Sequence, residues 1–353
     1  MSELMFFTML LTIAFISVSS ISFFSDVRKI NMELSCCFLI FFISIIYAHR
    51  PIQHDTVGYL NYLDSIQELY SNDGFLNAIM VFEPAYGVYT YFFSLLDSHF
   101  FFLASIPFFM LVIVSNSTKG ILKTSYRTLF LLSVSMYPYF IAYAASGLRQ
   151  GIAMSIYLFC LVSIIKQRKK MFALSIIVGG MFHYSFFLFS LAFLALSVRL
   201  SIRYFLIFWI FCVVASILKI SYFFVNVVDF IGFSQRYQVY FTQGEVDYAT
   251  GFRIDFFLLS LVPIILYYIL RPTSEISSAS LKVYLLGNAL SFLLCFMPYS
   301  DRFYSYSWFL IPFLIALFSQ DKIMNAKFSY IFNSAFMMIL FISLFTYSDK
   351  WIF

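Results

Sequence analysis

Residues 128–165 decide the fold class: TLFLLSVSMYPYFIAYAASGLRQGIAMSIYLFCLVSII. Arg149 is the only charged side chain in this stretch, and basic residues stand just outside its two ends, at Arg127 and Lys166. A helix that crosses a bilayer needs about 20 mostly apolar residues. The stretch therefore predicts two membrane helices, with Arg149 at the junction between them.

The rest of the chain has the same character. Of its 353 residues, 62% are hydrophobic and 11% are charged, and the mean hydropathy is +0.90. A soluble domain carries about 25% charged residues. This composition excludes a soluble enzyme, a disordered protein and a nucleic-acid-binding protein, because too few charges remain to cover so much apolar surface. The five cysteines lie inside apolar runs without a metal-binding spacing.

We predict an all-α, polytopic transmembrane helical bundle of about 11–13 membrane segments, some short or broken, forming a single integral membrane domain over residues 1–353. The apolar runs that predict it lie at 4–24, 34–48, 100–118, 128–146, 150–165, 171–198, 204–220, 253–270, 282–297, 303–318 and 328–346, with an ambiguous run at 84–96.

Lysine and arginine in the short loops predict the orientation, because such loops stay in the cytoplasm. All six basic loops can be cytoplasmic only if the run 84–96 does not fully cross and 171–198 crosses twice, with a break near His183. The alternative for 171–198 is one long tilted helix. The first arrangement makes 49–83 and 221–252 outward-facing loops, and both are acidic. This pattern suits a multi-pass protein of a bacterial inner membrane.

Three arginines open helices that run inward from the outer face: Arg149, Arg253 and Arg302. Helix N-termini carry free N–H groups and the positive end of the helix dipole, and arginine binds phosphate with two parallel hydrogen bonds. Arg50 adds a fourth outward cation. These residues predict a phosphate or pyrophosphate site, and the alternative is that each anchors to lipid headgroups.

His183 is the candidate general base, because a neutral imidazole can take a proton from a sugar hydroxyl. The alternative is a hydrogen-bonded histidine that packs between helices. Asp55 and Glu83 are the acidic candidates for the same role. Glu83 precedes Pro84, so capping of a helix would also explain it.

Several segments resemble, in order, those of the EpsG-like, Wzy-type bacterial polysaccharide polymerases. They are Arg50…Asp55-Thr56…Tyr59…Tyr62, Glu83-Pro84-Ala85-Tyr86, Gly147-Leu148-Arg149-Gln150-Gly151-Ile152-Ala153, Phe182-His183-Tyr184-Ser185 and Asp301-Arg302-Phe303-Tyr304. The chain departs from the family at Gln53-His54, where a glycine is common.

The resemblance implies a GT-C-like membrane glycosyltransferase, an O-antigen polymerase of lipopolysaccharide biosynthesis. It would transfer a growing glycan from undecaprenyl pyrophosphate to the non-reducing end of a new lipid-linked repeat unit, with its active site facing the periplasm. It further implies a chain-length regulator as partner, no metal or other cofactor, and glycan contacts at Tyr59, Gln150 and Tyr304.

Two other functions stay open. One is a flippase that moves the same lipid-linked oligosaccharide without any chemistry. The other is a metal-dependent glycosyltransferase that uses a lipid-phosphate sugar, with Glu245 and Asp247 holding Mg²⁺ or Mn²⁺.

Overall fold

The computed structural model describes residues 29–50, 52, 55–135, 137–220 and 250–322. Within them the chain is helical and contains no β-strand, which confirms the all-α fold class. The helices are α1 (Lys29–Ala48), α2 (Asp55–Ile79), α3 (Pro84–Ser94), α4 (His99–Thr118), α5 (Thr124–Ser135), α6 (Pro138–Ala145), α7 (Leu148–Ile165), α8 (Lys169–Phe182), α9 (Ser185–Ser190), a 3₁₀ helix (Leu191–Leu196), α10 (Ile202–Ile217), α11 (Ile254–Leu270), α12 (Glu275–Leu293), α13 (Asp301–Trp308) and α14 (Ile311–Asp321).

Four described segments are long and apolar enough to cross a membrane: His99–Thr118, Leu148–Ile165, Glu275–Leu293 and Asp301–Asp321. Shorter apolar helices accompany them, so the protein is a multi-pass membrane protein. The predicted runs 4–24 and 328–346 lie outside the described residues.

The chain forms two compact units. Among the described residues, the first unit ends at Phe186 and the second spans Phe187–Lys322. Helix α7 is the core of the first unit, because almost all of its side chains are buried. A single membrane domain with outward-facing segments 49–83 and 221–252 stays a prediction, and residues 221–249 lie outside the described part.

Helix α2 fills most of the segment 49–83, with a kink at Gly74 (φ 79°). Buried side chains such as Tyr59, Leu63 and Ile66 hold this helix in the unit. The next helix, α3, has only 11 residues and is about 16 Å long, about half the thickness of the hydrocarbon core. A helix of this length does not cross a bilayer.

Two of the predicted membrane runs are interrupted. The run 128–146 is not one helix, because α5 ends at Ser135 and Pro138 starts α6. Proline has no N–H and is favoured in the first turn of a helix. The run 171–198 breaks at His183, whose backbone is extended (φ −158°, ψ 117°). The break predicted near His183 is therefore confirmed.

Helix α3 approaches the end of α2 so closely at Gly87 that a side chain has no room. A Cβ atom at Gly87 would lie 2.1 Å from the backbone oxygen of Ile79. We expect Gly87→Ala to lower the free energy of unfolding by about 1–3 kcal/mol, because the two backbones must separate. Gly58, also in α2, has nothing within 4 Å of that position and gives the matched control. Equal thermal stability of Gly87→Ala and Gly58→Ala in detergent would contradict the close packing.

A buried hydrogen-bond network joins four helices of the second unit. The amide of Asn288 (α12) accepts from Trp209 Nε1 (α10) at 2.7 Å and donates to Ser260 Oγ (α11) at 3.0 Å and Ser307 Oγ (α13) at 2.9 Å. Trp308 Nε1 donates to the same Ser260 hydroxyl at 2.9 Å. The network satisfies every hydrogen-bonding atom of a fully buried amide.

Candidate functional site

The junction between α6 and α7 fixes the position of Arg149. Helix α6 ends at Ala145, and α7 begins at Leu148, so Arg149 lies in the first turn of α7. The rest of that helix is buried in the first unit. Arg149 therefore stands on the most firmly packed helix of its unit, at the end where free N–H groups favour anions.

The guanidinium of Arg149 lies between a carboxylate and aromatic rings. Its Nη1 donates to Glu83 Oε2, and its Nε donates to the hydroxyl of Tyr59 at 3.3 Å. Its Cζ stands 4.5 Å from the ring centre of Phe82, in cation–π range. The structure thus brings together three residues that the sequence singled out, and adds Phe82.

Glu83 does not act as a capping side chain. It precedes α3 with extended backbone angles, and its carboxylate makes no cap hydrogen bond. The carboxylate is instead 7% exposed and paired with Arg149. Of the two explanations offered by the sequence, the site carboxylate fits this geometry.

Arg50 forms hydrogen bonds with the backbone at the α6–α7 junction, just before Arg149. Its Nε donates to the carbonyl of Ala145 at 3.0 Å, and Thr56 Oγ1 donates to the same carbonyl at 2.7 Å. Its Nη1 binds the carbonyl of Tyr47 at 2.8 Å, at the end of α1. Arg50 is 6% exposed, so its geometry describes a residue that holds the α6–α7 junction in place. Its predicted role as a pyrophosphate ligand stays untested.

Tyr86 lies within electrostatic range of both arginines. Burial lowers the pKa of Arg50 to about 10, and the neighbouring Tyr47 and Tyr86 oppose the shift. Burial likewise raises the pKa of Tyr86 well above its usual value, and Arg149 opposes that shift. Both arginines therefore keep their charge at neutral pH beside a neutral phenol.

The other candidates of the first unit have different surroundings. His183 Nδ1 is 2.7 Å from Ser185 Oγ, across the break between α8 and α9. Asp55 is the exposed first residue of α2, one helical turn before Tyr59. Gln150 is buried, with 3% exposure, beside Arg149. The roles of His183 and Asp55 as base, and of Gln150 as a glycan contact, stay predictions.

Arg253, Arg302 and Tyr304 belong to the second unit. Arg253 Nε donates to Asp255 Oδ1 at 3.2 Å, and its Nη2 binds the other carboxylate oxygen. Arg302 lies in the first turn of α13, with its Cζ 5.0 Å from the ring centre of Tyr299. The ring of Tyr304 is 1% exposed and stacks on Trp308 at 4.8 Å. A ring packed in this way has no open face for a sugar.

No group of three histidine, cysteine or acidic side chains among the described residues is placed to hold a metal ion. Glu245 and Asp247, the predicted metal ligands of the alternative function, lie outside the described residues.

Two features of the site were missed by sequence reasoning. Phe82 lies under Arg149, and its position directly before Glu83-Pro84 was the available signal. The shared use of the Ala145 carbonyl by Arg50 and Thr56 had no signal, because backbone acceptors leave no trace in a residue pattern.

Residues 33–352 match the family model described as the EpsG family. The match covers nearly the whole chain, so the protein belongs to the EpsG family, and membership supports a role of the polysaccharide-polymerase, glycosyltransferase-like type. No curated protein and no solved structure shows significant similarity to it.

Proposed function

We propose that this member of the EpsG family is an O-antigen polymerase that joins lipid-linked oligosaccharide repeat units. It transfers the growing glycan from undecaprenyl pyrophosphate to the non-reducing end of a new undecaprenyl-pyrophosphate-linked unit. The reaction takes place at the periplasmic face of the bacterial inner membrane. The observation that carries this proposal is Arg149, a partly exposed cation at the N-terminal end of a buried helix.

A positioned cation of this kind meets the main chemical requirement of the reaction. Pyrophosphate is a good leaving group, and the negative charge that develops on it as the glycosidic bond breaks is stabilised by a guanidinium held in place beforehand. The positive end of the helix dipole stabilises the same negative charge. Arg302, at the start of α13, is the next candidate for a pyrophosphate contact, and a chain-length regulator is the predicted partner.

Reconstitution tests the function directly. The purified protein in proteoliposomes, supplied with one lipid-linked repeat unit, is expected to produce a ladder of longer glycans on a gel. Movement of the unit across the bilayer without a ladder would instead indicate a flippase. A ladder that disappears with a metal chelator and returns with Mg²⁺ would indicate the metal-dependent glycosyltransferase.

The orientation of the site has its own test. Ser71 is exposed on α2, the helix that carries Tyr59, and α2 lies in the acidic segment 49–83. We expect Ser71→Cys to react with a membrane-impermeant thiol reagent in intact spheroplasts, whereas Ser201→Cys, in the basic segment between Arg199 and Arg203, reacts only after lysis. The reverse labelling pattern would place the site on the cytoplasmic side.

A further inference from the structure

The Arg149 guanidinium is held on one side and open on the other. Nε and Nη1 are bound to Tyr59 and Glu83, and among the described residues no hydrogen bond to a protein group is formed by Nη2. The Arg149 side chain is 21% exposed, against 7% for Glu83. An anion that arrives from outside therefore meets the open edge of Arg149 first, with the carboxylate behind it.

Glu83 contacts the guanidinium at Nη1, on its held side. Its backbone carbonyl accepts the N–H of Gly87 at 2.9 Å, which ties it to the first turn of α3. A nearly buried carboxylate depends on its counterion, because burial of an unpaired charge is costly. Here Arg149 supplies the counterion.

The remaining titratable neighbours come from the same unit. They are Tyr59 on α2 and Tyr86 on α3, which interact with Arg149, and Arg50, which lies within electrostatic range of Tyr86. The phenol of Tyr86 stays neutral because burial raises its pKa. Arg149 is therefore the cation that pairs with the Glu83 carboxylate.

A bound pyrophosphate places a second negative group beside Arg149. Two negative groups then share one guanidinium, and a nearby like charge raises the proton affinity of a carboxylate. General bases work best when their proton affinity matches neutral pH. An anion bound at Arg149 therefore favours proton transfer to a carboxylate beside it.

Building on the function proposed above, we propose that Glu83 takes the proton of the acceptor hydroxyl, and that pyrophosphate bound at Arg149 is what makes it basic. The acceptor oxygen forms a bond to the anomeric carbon while the bond from that carbon to the pyrophosphate oxygen breaks. The electron pair stays on the pyrophosphate, beside Arg149. The hydroxyl proton moves to Glu83 and passes to water when the products leave.

The proposal makes pyrophosphate binding and proton uptake linked events. The probe is a short polyprenyl pyrophosphoryl glucose, a pyrophosphate diester that does not itself titrate near pH 7. Calorimetric titration of the full chain in detergent, in buffers of different ionisation enthalpy, measures protons taken up per probe bound. We expect fractional uptake, between zero and one proton, for the wild-type protein and none for Glu83→Gln. The control Glu68→Gln, an exposed glutamate on α2, is expected to match the wild type.

Each result bears on a different claim. Failure of the wild type to bind the probe, or equal binding by Arg149→Lys, overturns the pyrophosphate site and the proposed function with it. Normal binding without proton uptake in the wild type overturns only the role of Glu83. This measurement uses the wild-type protein, so it does not depend on the folding of a variant. Uptake that persists in Glu83→Gln but is lost in His183→Gln transfers the base role to His183. With the lipid-linked unit, Glu83→Gln is expected to keep probe binding within several-fold and to lose polymerisation by about 100-fold or more.

Discussion

Replacement of Arg149 by lysine is expected to slow polymerisation by about ten- to a hundredfold, although the positive charge is kept. Lysine is a point charge on a flexible stem, whereas arginine presents a planar fork that can bind Tyr59, Glu83 and an anion at the same time. The loss of a charge-assisted hydrogen bond in a site shielded from water costs about 1.5–3 kcal/mol, which corresponds to that range of rates.

The measurement is ladder formation per amount of folded protein in proteoliposomes. Arg168, an exposed arginine that precedes α8, gives the matched control, and Arg168→Lys is expected to leave the rate unchanged. If Arg149→Lys polymerises at the wild-type rate, Arg149 is an interfacial anchor and not a ligand of pyrophosphate.

Asn288→Leu is expected to destabilise the second unit by about 1–3 kcal/mol. The leucine fills a similar volume but leaves the indole N–H of Trp209 without its partner, whereas the Ser307 hydroxyl keeps its hydrogen bond to the Tyr304 carbonyl. A buried polar group that loses its partner costs about 1–3 kcal/mol in proteins, and interhelical hydrogen bonds in membranes lie at the lower end of that range.

Thermal unfolding in detergent, followed by loss of the monodisperse peak, measures this change. Asn61→Leu, at an exposed position of α2, controls for the added apolar surface. A melting temperature of Asn288→Leu equal to that of Asn61→Leu would show that the network contributes nothing net to stability.

The sequence predicted the helical class because apolar content and run length are properties of single segments. It also located the break at His183, since Gly179, Gly180 and a polar cluster interrupt one apolar run. It gave no bounds for helix α2, whose mixed polar surface contains no apolar run, and it missed the split at Pro138 within a run that is apolar throughout. Hydropathy predicts whether a segment lies in the membrane, but it does not predict the residue at which a helix ends.

The site was predictable in its residue types but not in its pairings. Arg149, Glu83 and Tyr59 were all candidates, yet nothing in the sequence indicated that they contact one another across 66 and 90 positions of chain. Arg50 shows the reverse case: its charge favoured a ligand contact, whereas its hydrogen bonds go to backbone carbonyls. Side chains separated widely in sequence meet only through the packing of the helices that carry them.

The Asn288 network also gives the protein an intrinsic optical reporter. The chain has three tryptophans, and the two described ones, Trp209 and Trp308, both donate their indole N–H groups to this network. Indole emission shifts to longer wavelength when water replaces a buried partner. A red shift of the native fluorescence will therefore signal that these four helices have separated, and a Trp351→Phe background leaves the two network indoles as the only tryptophan emitters.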